Sequence, residues 1–112
     1  MYCSGQFGHL DVMQRELDVL ALPVAVRIFG INAAGHEAGN AAITRGRALP
    51  WLQDIEEQDA WGRWGVRWRD VRIVGASNEL VLVYNLTSHD LGDPANHAHL
   101  RWILEDLARR SP

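Results

Sequence analysis

The chain carries one cysteine, Cys3, and it stands just ahead of an apolar repeat at Phe7, Leu10, Met13, Leu17 and Leu20. Steps of three and four residues mark one face of a helix, so Cys3 falls in the opening turn of that helix. Backbone N–H groups there have no intrahelical acceptor and the helix dipole is positive, conditions that favour thiolate over thiol. The chemistry expected of such a residue is nucleophilic and redox: attack on a disulfide, resolution of a mixed disulfide, or oxidation to a sulfenic acid. The ordinary alternative is an inert thiol near a terminus.

Other chemistry-bearing residues are less specific. His89, Asp90, Asp93, His97 and His99 supply imidazole and carboxylate in one short stretch, but His97 and His99 point in different directions on a helix, and a polar loop is the expectation. His36-Glu37 reads as loop surface. Trp61, Arg63, Trp64, Arg67, Trp68, Arg69 and Arg72 interleave aromatics with arginines as a nucleic-acid groove does. The net charge of −3 and the acidic run Asp54, Glu56, Glu57, Asp59 argue against that partner, and the tryptophan spacing reads as core packing. Asn85-Leu86-Thr87 fits a glycosylation sequon but lies at the end of an expected strand. All eleven basic residues are arginine. Schiff-base chemistry and a P-loop lysine are thereby excluded.

These residues need a scaffold. With 112 residues and 47% hydrophobic content, the chain suits one domain spanning residues 1–112. A single cysteine permits no internal disulfide. No apolar run approaches the roughly 20 residues that span a bilayer, and no signal-peptide pattern opens the chain, so the default expectation is cytoplasmic with no membrane partner.

After the first helix, Val24 to Ile31 (VAVRIFGI) predicts a strand buried on both faces. A short helix over Ala38 to Arg45 stops at Gly46, and Leu49-Pro50-Trp51-Leu52 predicts a brief extended piece. Asp59 can cap a short helix carrying Trp61 and Trp64. Val71 to Val74 and Leu80 to Leu86 predict a hairpin about Gly75-Ala76-Ser77-Asn78. Asp93-Pro94 opens a last helix with Leu100, Ile103, Leu104 and Leu107 as its buried stripe, ending in Arg109 and Arg110. The expected order is α-β-α-β-β-α, an α/β sandwich.

In order and spacing, Cys3…Phe7…Leu10, IFGIN at 28–32, LPWLQD at 49–54 and GVRWRDVRIVGASNELVLVYNL at 65–86 resemble a thioredoxin-like protein. The similarity is narrower to redoxins related to the N-terminal domain of selenoprotein P, with Asn32 to Gly35 and Asp59-Ala60-Trp61 at matching places. The resemblance implies a thiol or selenol redox protein, acting as a thiol–disulfide oxidoreductase or a peroxide reductase. Its partners would be thiol- or disulfide-bearing proteins, a small thiol such as glutathione, or peroxide. It needs no cofactor and no metal.

It also implies a central first strand and an attacking cysteine or selenocysteine just before Met1, with Cys3 as the resolving residue of an x-Met1-Tyr2-Cys3 pair. Such a sandwich without its central strand leaves two sheet edges unjoined, so a homo-oligomer through exposed strand edges is expected. Where thioredoxin-like proteins generally carry a cis-proline, this chain has Trp68-Arg69-Asp70. Arg69 is the candidate to steady a thiolate by charge, and a solvated Arg69–Asp70 pair is the alternative. The other functional reading is a non-catalytic thioredoxin-like module with a binding or scaffolding role.

Overall fold

In the computed structural model, which describes residues 2–110, helices and short strands alternate. The first helix, α1 (Tyr2–Asp18), is followed by β1 (Gly30–Asn32), a 3-10 turn (Glu37–Gly39) and α2 (Asn40–Thr44). Then come β2 (Trp51–Gln53), α3 (Ala60–Trp64), the hairpin β3 (Asp70–Val74) and β4 (Leu80–Asn85), and α4 (Pro94–Arg110). The strands make two separate ladders: β1 pairs parallel with β2, Gly30 opposite Trp51, and β3 pairs antiparallel with β4, Val71 opposite Tyr84. The mixed α/β class expected from the sequence is therefore present, as two small sheets among helices.

The local signals act where they were expected. Asp93 accepts the Ala95 N–H (2.9 Å) at the start of α4, and Asp59 accepts the Gly62 N–H (3.1 Å) at the start of α3. Gly46 takes the left-handed conformation just beyond α2 (φ 71°), as a chain reversal there requires. The apolar stripes of α1 and α4 meet over the hairpin: Met13, Leu17, Ile73, Tyr84, Leu91 and Leu100 form the main core. A smaller core of Phe7, Ile43 and Leu49 lies beside it, and Leu10 and Ile28 pack against both. No helix among the described residues is long and apolar enough to cross a membrane.

Three expectations are corrected. Val24 to Ile31 is not one strand buried on both faces; only Gly30–Asn32 is laddered, and upstream of it Val24, Val26 and Ile28 turn inward while Ala25, Arg27 and Phe29 are exposed. A strand exists through its neighbour, and residues 24–29 have no strand beside them. The tryptophans do not share a core stripe either. The helix α3 ends at Gly65 (φ 63°), so Trp68 lies off it, and Trp64 and Trp68 are 55% and 52% exposed. Nor do Arg69 and Asp70 form a solvated pair. The Asp70 side chain is buried, accepts from Asn85 Nδ2 (2.9 Å) and lies 3.5 Å from Arg72, whereas Arg69 donates to Thr87 Oγ1 (3.1 Å).

Met13 and Leu100 are wholly inaccessible to solvent. Met13→Ala is expected to destabilise the fold by about 2–5 kcal/mol through lost burial and a residual cavity, read as a lower denaturant midpoint at unchanged slope.

Candidate functional site

Three polar side chains of α1 hold it in place, and each bonds backbone that lies outside a ladder. Gln14 donates from Nε2 to Val26 O (2.9 Å) and accepts the Ile28 N–H on Oε1 (2.7 Å), so its amide acts as a short strand beside residues 26–28. Asp11 accepts the Ala48 and Leu49 N–H groups (3.0 and 3.3 Å) and an Arg15 guanidinium (2.6 Å). Gln6 accepts the Leu91 N–H (2.9 Å) and donates to Asp90 (2.7 Å). Near the helix start, Arg47 donates to Ser4 Oγ (2.9 Å).

These anchors set the position of Cys3. Phe7 packs edge-on against Trp51 with ring centroids 4.9 Å apart, and both rings crowd Gly30, where a Cβ would collide with the Trp51 indole. Going back along α1 from Gln14 to Phe7 thus moves forward along the chain from residues 26–28 to residue 30. The two distances agree at about 10 Å each, with 1.5 Å per helical residue and about 3.3 Å per extended one. A further turn brings the helix to Cys3, on the same stripe as Phe7, Leu10, Gln14 and Leu17. Its level along the axis of α1 is then about 6 Å beyond Gly30, in the direction of the carboxyl end of β1. Cys3 is half-buried and its thiol is free.

The carboxyl ends of the two parallel strands are rigidly built. Asn32 donates to His36 O, Asn40 Oδ1 and Gln53 Oε1 within 2.9 Å, and Trp51 Nε1 donates to Asn40 Oδ1 (2.7 Å). Asp54, directly after β2, accepts the N–H groups of Ile55, Ala60 and Trp61 and so fastens α3 to the strand end. The Trp61 indole donates to Ile31 O (3.1 Å), taking a carbonyl that a neighbouring strand would otherwise use. Trp68 stacks edge-on against both Trp61 and His36, each 5.0 Å away, and leaves half its surface in solvent. Ligands of open α/β sheets bind beyond the carboxyl ends of the strands, and the first turn of α1 is directed towards that end.

The remaining sequence candidates are distributed elsewhere. Arg69, in left-handed conformation (φ 64°), lies where the chain enters β3, its carbonyl bonded to the Leu86 N–H and its guanidinium to Thr87. The histidines of the last segment separate: His97 bonds Glu16 of α1 (2.7 Å), while His89 and His99 flank the Tyr84 ring. Among the described residues no three His, Cys, Asp or Glu side chains approach closely enough to hold a metal ion. Asn85 is committed to Trp68 O and Asp70 within the fold.

Sequence reasoning assigned no such role to Gln6, Asp11, Asn32 and Asp54, the buried polar residues among those described. The signal for Gln14, and in part for Asp11, was a polar residue set among the apolar positions of a helical stripe. Asp54 and Asn32 had no such signal, because they stand at strand ends and bond loop and helix-start groups rather than interrupting an apolar stripe. No family model matches the chain, and no curated protein or solved structure is significantly similar to it.

The carboxylates titrate accordingly. Burial alone would push the Asp11 carboxyl up, but the Ala48 N–H, the Arg15 guanidinium and the Leu49 N–H together hold it below its ordinary value. Asp54 is held low by the Trp61 and Ala60 N–H groups. In Asp70 the donors Asn85 and Arg67 and the charge of Arg72 outweigh burial. A depressed folded value stabilises the fold above the unfolded carboxylate range and loses that contribution as the pH falls through the folded value. Thermal stability is therefore expected to fall steeply below about pH 4. Asp11→Asn, which retains an acceptor oxygen but no charge for Arg15, is expected to cost about 1–3 kcal/mol at neutral pH and to flatten that acid limb. Melting curves from neutral to strongly acidic pH measure both.

Proposed function

We propose that the protein is a thiol redox protein of thioredoxin-like type in which Cys3 is the reacting sulfur. The observation carrying this reading is a half-buried free thiol in the first turn of α1, a helix whose bonds to residues 26–28 at Gln14 and packing near residue 30 at Phe7 direct that turn towards the carboxyl end of β1. A thiolate there meets the unpaired N–H groups of the helix start. The order of a helix, a parallel strand, an antiparallel hairpin and a last helix supports the reading, with the strands in two separate ladders. The substrate class is a disulfide, or a peroxide in the related reaction.

In disulfide exchange Cys3 loses its proton, and Sγ attacks one sulfur of the substrate. The substrate S–S bond breaks as the Cys3–substrate disulfide forms, and the departing thiolate takes up a proton. A second thiol must then attack the mixed disulfide to release Cys3 and carry away the oxidation. Glutathione can supply it from solution. With a cysteine or selenocysteine immediately preceding Met1 in the encoded protein the roles would be exchanged. That residue would make the first attack on the substrate, and the Cys3 thiolate would attack the resulting mixed disulfide or selenenyl sulfide as the resolving residue, releasing the reduced substrate. Arg69, at the entry to β3, is the charge proposed to steady the anionic sulfur or selenium.

The reading is tested with oxidised glutathione. Intact protein is expected to gain one glutathione as a mixed disulfide reversible by dithiothreitol, Cys3→Ser none, and Arg69→Ala to react more slowly at unchanged far-UV circular dichroism. Turnover of a disulfide substrate that survives Cys3→Ser would overturn the redox assignment. The single cysteine favours one further reading, a non-catalytic binding module, and an unreactive Cys3 in the folded protein would support it. The codon immediately upstream of Met1 separates a one-thiol protein from a redox pair.

A further inference from the structure

We draw no further inference here: the strongest candidate, the apolar groove between α1 and residues 22–29, carries nothing, because its arginines Arg15 and Arg27 are already paired with Asp11 and Asp18 and nothing in the structure shows what covers it.

Discussion

The structure depends on how backbone outside the ladders obtains its hydrogen bonds. Two of the four strands are only three residues long, so much of the chain that crosses the interior has no neighbouring strand. An unpaired buried N–H or C=O costs about 1–3 kcal/mol. The helix α1 meets that demand with side chains. Gln14 completes residues 26–28, Asp11 completes residues 48–49, and Gln6 completes Leu91. One helix thereby ties together the segment before β1, the approach to β2 and the loop before α4.

That arrangement has two consequences. The helix is fixed in register along the β1 segment, and the first turn with Cys3 is fixed with it. Phe7 and Trp51 add a packing constraint, because their rings fill the space that a side chain at residue 30 would occupy. The other consequence concerns the sheets. Since side chains rather than strands complete the interior, the two ladders stay separate, and the Trp61 indole takes the Ile31 carbonyl that faces away from β2.

Much of the fold was legible because its signals are local. Apolar spacing marked α1 and α4, Asp93-Pro94 marked where α4 begins, Gly46 marked the end of α2, and the turn at Gly75 to Asn78 marked the hairpin. The failures share one cause. The apolar run Val24 to Ile31 reported burial, but whether it became a strand depended on having a neighbour. Trp68 stood at helical spacing from Trp61 and Trp64, but α3 had already ended at Gly65. Cys3 was legible as a helix-start thiol. The groups beside its end of the sheet, Asn32, Asp54 and Trp61, were not, since their roles lie in bonds to residues chosen by the fold.

By itself the sequence determined the residues able to react, the helices and hairpin that carry them, and the chemistry excluded by one cysteine and no lysine. Those properties reside in side-chain type and in spacing along a few turns of chain. Only the tertiary structure decided that Asp11, Gln14 and Gln6 serve as backbone acceptors and donors, and that the first turn of α1 is directed towards the carboxyl end of β1. The first depends on groups 12 to 85 residues apart being brought within hydrogen-bonding distance, and no local pattern encodes which distant backbone will lack a partner.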